Sequence, residues 1–310
     1  MVYTVTLNPA LDYTLRLESL MTGSIQRSDF ESFYAGGKGI NVSNVLTQLQ
    51  IPNVALGFVA GFTGGEIERL VHALGVKTDF VYISTGTSRI NIKIRTAGGT
   101  ETDINARGCK IDAVSLGEFF RKIDALRDGD YLVLAGSVPN SLSQDIYENV
   151  MRRLVAKEIN YLVDAEGTLL EKTLKYNPFL IKPNKEELEE LLGKTAKDDK
   201  DIILFAEELQ KEGARNVLVS MGADGAILLA ESGQRIKAPA VYGKVVNTVG
   251  AGDSMVAGFL AGWLKYGTYD KALSLGSAAG AATSFCENIA AREEIYGVLN
   301  VLLKSQEETV

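Results

Sequence analysis

A chain of 310 residues with 46% hydrophobic content is long and apolar enough for one large α/β domain or two smaller ones, and is not disordered. Its net charge of −7 argues against a sequence-independent nucleic-acid binder, which would show a basic face. One histidine, His72, and two distant cysteines, Cys109 and Cys286, give histidine triads, zinc sites and disulfide frameworks almost nothing to build on. Met1 leads straight into a strand-like run without a charged leader, and no apolar run nears membrane-spanning length. The expectation is a cytoplasmic chain with no export or insertion signal.

Strand-like runs alternate with amphipathic helices, the pattern of a parallel sheet covered on both sides. Strands are predicted over residues 2–7, 53–58, 131–135, 161–164, 179–182, 216–220 and 226–230. Helices are predicted over 41–50, 65–74, 116–126, 144–157, 185–192 and 202–212, with two more after Asp253. His72 falls on the second helix and reads as a surface residue. Segments of about 12–35 and 87–105 break the alternation with period-two runs, which suggests a small sheet projecting as a lid from one domain spanning 1–310.

In chain order, the first chemically suggestive residue is Asp12, just past the carboxyl end of the first strand, where open α/β sheets bind ligands. Next, Ala35-Gly36-Gly37-Lys38-Gly39-Ile40-Asn41 is a glycine loop opening a helix with a buried stripe of Val42, Val45, Leu46 and Leu49. Gly39 stands where a Walker A loop needs Ser or Thr, and the dinucleotide fingerprint spacing is absent, which disfavours a nicotinamide oxidoreductase. What remains is a close-approach loop with one cation, Lys38, and one amide, Asn41, suited to a polyhydroxylated anion. Over 89–95 isoleucines alternate with Arg89, Asn91, Lys93 and Arg95. Arg95 reads as part of a solvated face on an edge strand, and Arg89 as part of a basic face over a phosphorylated substrate.

The stretch 179–187 is strand, proline turn and helix. Glu186 and Glu187 suit the dipole of that helix, and Asn184 with Glu187 could also position Mg²⁺ through water. Ser220-Met221-Gly222-Ala223-Asp224-Gly225 is a strand end and a glycine turn, either a plain turn or a place for a nucleotide to approach the backbone. Finally, Gly250-Ala251-Gly252-Asp253 leads into a helix with Val256, Phe259, Leu260, Trp263 and Leu264 on one stripe. Its bare N–H groups suit an anion. Asp253 is then either an N-cap or a general base beside an anion hole.

Taken together, Thr6-Leu7-Asn8-Pro9-Ala10-Leu11-Asp12, Gly36-Gly37-Lys38-Gly39-Ile40-Asn41-Val42, Gly136-Ser137-Val138-Pro139, Lys182-Pro183-Asn184 with Glu187, and Gly250-Ala251-Gly252-Asp253-Ser254 resemble the ribokinase-like sugar kinases, in particular their phosphosugar branch. The resemblance runs nearly end to end. Ser88–Lys93 and Glu101–Asn105 look most like members acting on fructose 1-phosphate. It implies a three-layer α/β/α fold, mainly parallel, with a β-sheet lid, ATP and Mg²⁺ as cofactors, and phosphorylation of D-fructose 1-phosphate at O6. Tagatose 6-phosphate and fructose 6-phosphate are alternative substrates within the family, and a non-enzymatic sugar-phosphate sensor is the rival from another class.

By the same resemblance Asp253 matches the catalytic base and Gly250, Ala251 and Gly252 its anion hole. Asp12, Gly37, Lys38, Asn41 and Ser137 match sugar positions, and Arg89, helped by Lys38 and Arg27, the phosphate end. Lys182, Asn184, Glu187, Ser220, Gly222 and Gly225 fall in nucleotide and magnesium segments, with Asn288 beside the adenine. The chain departs from the family's pattern at Glu166, where a small hydroxyl residue is commoner, and at Cys109, where proline is commoner. No nucleic-acid or membrane partner is expected, and lids that expose apolar surface suggest a homodimer.

Overall fold

The computed structural model describes residues 1–307, and its strands and helices stack as a layered α/β fold. Among these residues the larger sheet has ten strands. From one edge they run Arg235–Ala238, Ala226–Leu229, Val217–Ser220, Leu180–Ile181, Asn160–Asp164, Tyr131–Ala135, Val2–Thr6, Asn53–Ala60 and Lys77–Thr78, with Val81–Ile83 beside the far end of Asn53–Ala60. Pairing is parallel from Val217–Ser220 to the Lys77–Thr78 edge and antiparallel at the other edge. Parallel strands buried on both faces are apolar throughout, as Tyr131–Ala135 and Val217–Ser220 nearly are. Their shared direction brings the residues after each carboxyl end to one rim.

Helices Ala113–Asp124, Ile146–Arg153, Gly167–Leu174, Lys185–Leu192 and Asp199–Lys211 cover one face, packing Phe119, Tyr147, Leu170, Leu188 and Phe205 against the sheet. Lys38–Gln48, Ala251–Tyr266, Tyr269–Phe285 and Arg292–Glu307 cover the other with Val42, Leu46, Phe259, Leu275 and Ile295. The pair Ala251–Tyr266 and Tyr269–Phe285 packs very closely. A Cβ on Gly258 would stand 2.6 Å from the Leu275 carbonyl oxygen, and one on Gly262 2.7 Å from Ala272 Cα. Small residues therefore carry this contact, and Leu264, expected on the buried stripe, is 41% exposed. Helix Gly167–Leu174, the third helix after Asp253 (Arg292–Glu307) and strands Lys77–Thr78, Val81–Ile83 and Arg235–Ala238 were not expected from the sequence. Lys77–Thr78 and Val81–Ile83 are too short to show a period.

The smaller sheet has four strands, in the order Phe30–Gly36, Ala10–Leu17, Arg89–Thr96 and Glu101–Asn105. Ala10–Leu17 pairs parallel with Arg89–Thr96, placing Asp12 opposite Asn91 and Thr14 opposite Lys93. Arg89–Thr96 is thus an inner strand rather than the expected edge. Arg95 lies 3.2 Å from Glu101, so its charge answers a cross-strand acid rather than guarding an edge. His72 is exposed on helix Gly61–Ala73, as read from the sequence, with its ring 2.7 Å from the Thr78 hydroxyl. Among the described residues no helix is long and apolar enough to cross a membrane.

Candidate active site

Asp253 is the third residue of helix Ala251–Tyr266, and the N-cap is Gly250, whose φ of 82° favours glycine. The acid is therefore not the cap. It is 5% exposed, and its Oδ2 accepts a hydrogen bond from Asn41 Nδ2 at 2.8 Å, which joins the first glycine loop to the second. Among the described residues the amides of Gly252 and Asp253 have no acceptor, so they add partial positive charge at this helix N-terminus. A Cβ on Gly252 would stand 3.3 Å from Lys182 Nζ, so the ammonium reinforces the same spot.

Beneath lies an acid missed in the sequence. Asp164, 2% exposed at the end of strand Asn160–Asp164, has Oδ1 3.4 Å from Lys182 Nζ and Oδ2 3.3 Å from Lys38 Nζ. Burial disfavours its charge, but Lys182 and Lys38 together outweigh burial and hold the carboxyl below its ordinary value. For Asp253 the balance reverses. Burial first, then the Asp164 charge, push its carboxyl up to about 7, against the Asn41 hydrogen bond and the two lysines. Two buried acids in one site are thus driven apart, one fixed as an anion and one poised near neutrality. Burial works against the Lys38 charge, but Asp164, Asp253 and Glu187 prevail and raise its pKa.

A cleft of about 910 Å³ opens over these groups, lined also by Asp12, Gly37, Arg89, Gly136, Ser137 and Glu166. At the wall formed by the smaller sheet Asp12 Oδ1 accepts from Asn91 Nδ2 at 2.9 Å and Oδ2 lies 3.7 Å from Lys93 Nζ. Burial raises the Asp12 carboxyl, opposed by Lys93, Asn91 and Arg89. Arg89 donates from Nε to the Asn8 carbonyl at 3.0 Å, and burial draws its pKa down. The fork of the guanidinium has no other acceptor among the described residues.

At the other end Lys182, Asn184, Glu187 and Ser220 line the same cleft. Asn184 and Glu187 form a capping box, with Asn184 Oδ1 accepting from the Glu187 amide at 2.7 Å and Glu187 Oε2 from the Asn184 amide at 2.8 Å. Both are helix-capping residues, and Glu187 keeps Oε1 free of any hydrogen bond among the described residues. Ser220, Gly222 and Gly225 border a second, largely apolar cavity of about 370 Å³ lined by Val241, Tyr242, Val245, Met255 and Phe285. Gly225 is required there, since its φ is 87° and a Cβ would meet the Ala238 carbonyl oxygen at 2.2 Å.

Two expected residues lie elsewhere. Arg27 is exposed in the loop between the first two strands of the smaller sheet and lines neither cavity. Asn288 borders an adjoining pocket of about 250 Å³ that shares Asp12 and Asn41 with the cleft, and does not line the apolar cavity. Sequence reasoning missed Asp164, Asn91, Lys93 and the apolar cavity. The rule that picked out Asp12, an acid closing a parallel strand, also fits Asp164. The cavity lies along 239–249, where nothing is periodic.

A parallel sheet between helical layers, a second sheet beside the cleft and a buried acid under a glycine turn define a sugar kinase of ribokinase-like architecture. Residues 6–294 match the model of the pfkB family carbohydrate kinases, and the chain belongs to that family. It is 40% identical over 305 residues to a 1-phosphofructokinase of Bacillus subtilis, covering 96% of this chain and 97% of that protein. It is 36% identical over 290 residues to a D-tagatose-1-phosphate kinase of Bacillus licheniformis, covering 93% and 94%. The crystal structure of phosphofructokinase-2 from Escherichia coli in complex with substrates and products superimposes with a TM-score of 0.91 at 26% identity, covering 97% of this chain and 99% of that one.

Proposed function

We propose that this chain transfers the γ-phosphoryl group of ATP to the 6-hydroxyl of D-fructose 1-phosphate, giving fructose 1,6-bisphosphate and ADP. The observation that carries the chemistry is Asp253: a buried carboxyl at a helix N-terminus, pushed up to about 7, close to the pH at which a base works best. Asp253 takes the hydroxyl proton, while the Gly252 and Asp253 amides and Lys182 face the charge spreading over the transferring group. Of the expected Gly250-Ala251-Gly252 anion hole, the Ala251 amide is already donated to the Thr248 carbonyl at 3.2 Å. Asp12, Asn41 and Gly37 hold sugar hydroxyls. Arg89, with Ser137 and Lys38, holds the sugar phosphate. Ser220, Gly222 and Gly225 flank the nucleotide, whose base suits the apolar cavity. The unbonded Oε1 of Glu187 fits the hydration shell of a Mg²⁺ carried on the ATP phosphates, an ion that neutralises their charge.

The substrate reading rests on the identity to relatives named 1-phosphofructokinase, and the tagatose-1-phosphate kinase relative favours a second reading, the epimeric ketose 1-phosphate. ADP release with Mg·ATP is the test, using fructose 1-phosphate, tagatose 1-phosphate, fructose 6-phosphate and tagatose 6-phosphate ranked by kcat/KM. Fructose 1-phosphate is expected to lead. A 6-phosphate in first place would overturn the substrate, and no turnover with any would favour a sensor.

The smaller sheet acts as a lid and as the contact of a homodimer. Phe33, Tyr13, Ile92 and Ile104 stand in one row across its four strands, with Phe33 46% and Ile104 55% exposed. Such a row is covered at little cost by a second copy. Light scattering is expected to give the dimer mass, and a monomer at working concentration rejects this contact.

A further inference from the structure

Asp164 is deep in the parallel sheet and each of its oxygens faces a different ammonium, Lys182 at 3.4 Å and Lys38 at 3.3 Å. The two lysines come from different parts of the chain. Lys38 opens the helix of the first glycine loop, whereas Lys182 follows strand Leu180–Ile181, its Nζ 3.3 Å from where a Cβ on Gly252 would stand. In the kinase reading Lys38 serves the sugar-phosphate end of the cleft and Lys182 the nucleotide end. A lysine is a point charge on a flexible four-carbon stem, and two of them side by side repel. One anion between two cations leaves Asp164 unable to neutralise both ammoniums and fixes both stems before any ligand arrives. Asp164 Oδ2 is enclosed yet makes no well-formed hydrogen bond, so its partner is the charge of Lys38 rather than a donor of the fold.

We propose that Asp164 is a positioning residue that holds Lys38 and Lys182 as one phosphate clamp, linking the sugar-phosphate end of the cleft to the nucleotide end. This rests on the kinase reading above. Wild-type turnover and binding of fructose 1-phosphate are therefore measured first, and if both are absent it is that reading which fails.

The test is equilibrium binding by calorimetry, with fructose 1-phosphate and with a non-hydrolysable Mg·ATP analogue, alongside the two KM values. Asp164→Asn is expected to weaken both ligands by about fivefold or more. Adding Lys38→Met to it should cost the phosphosugar less than Lys38→Met costs the wild type. Loss of nucleotide affinity alone, restored by excess Mg²⁺, would place the acid on the metal and overturn the clamp. A lower Tm with unchanged affinities in the folded fraction would do the same. Asp164→Asn leaves Lys182 buried without its counter-charge, and the variant could fail to fold. Lys182→Met then decides. With Lys182 gone, Asp164 draws on Lys38 alone, and phosphosugar affinity should fall by about twofold or more although Lys182 lies at the nucleotide end. Unchanged phosphosugar affinity overturns the proposal.

Discussion

Asp253→Asn is expected to lower kcat by about 10²–10⁴-fold, the range for a lost general base, with phosphosugar affinity largely kept. The amide preserves the volume of the side chain and can still accept from Asn41, so the loss falls on the proton transfer itself. An unchanged kcat would remove Asp253 from the chemistry. In the unmodified chain kcat/KM should fall as pH drops below about 7, because the base is then protonated. The same shift sets a stability effect of known sign. An Asp in the unfolded chain titrates near 3.8, whereas this one titrates near 7 in the fold. Between those values the folded chain holds a proton that the unfolded chain releases. Stability contributed below the lower value is lost as pH rises, and the loss is complete above the upper one. Asp253→Asn has no such loss. Its Tm relative to the wild type should rise more at about pH 8 than at about pH 5. Equal shifts at the two values would mean that the carboxyl titrates normally.

Arg89→Ala is expected to raise KM for the phosphosugar by about 10–100-fold, the loss of a charge-assisted contact of about 1.5–3 kcal/mol, with kcat and KM for ATP little changed. The geometry supports an effect in the upper part of that range. The Nε bond to the Asn8 carbonyl orients the fork, and partial burial leaves the guanidinium short of water. Arg89→Lys should recover only part of the loss, since an ammonium keeps the charge and loses the fork. A rise in KM for ATP instead would exchange the two ends of the cleft.

Several site groups were readable because each sits in a local pattern with its own chemistry. Glycine loops opening helices at Lys38 and Ala251 follow from bare backbone followed by an apolar stripe. Asp12 reads in the sequence as an acid closing the first strand, whereas it is the third residue of strand Ala10–Leu17, inside the smaller sheet. The sequence offers Asn184 and Glu187 as a magnesium pair and Glu187 as a dipole residue, and the structure adds that the two form a capping box at the helix that starts at Lys185. Arg27 and Asn288 mark where such reasoning stops. Both lie on irregular segments, whose direction no periodicity fixes, and neither lines the cleft of about 910 Å³. Arg95 was misread for a related reason. Its alternation showed which face it shares with Lys93, but not that Glu101–Asn105 would pair beyond it.

The sequence by itself determined the layered α/β plan, the two glycine loops, the acid at the start of the third-last helix and, with the resemblance they carry, the kinase family. Those are local matters of spacing, turn chemistry and helix or strand period. Only the tertiary structure decided that Asp253 and Asn41, 212 positions apart, share a hydrogen bond, and that Asp164 lies between Lys38 and Lys182. It alone decided which carboxyl keeps its proton near neutrality. That choice depends on burial and on charges a few ångströms away, and both are set by how distant segments meet at the rim of the sheet.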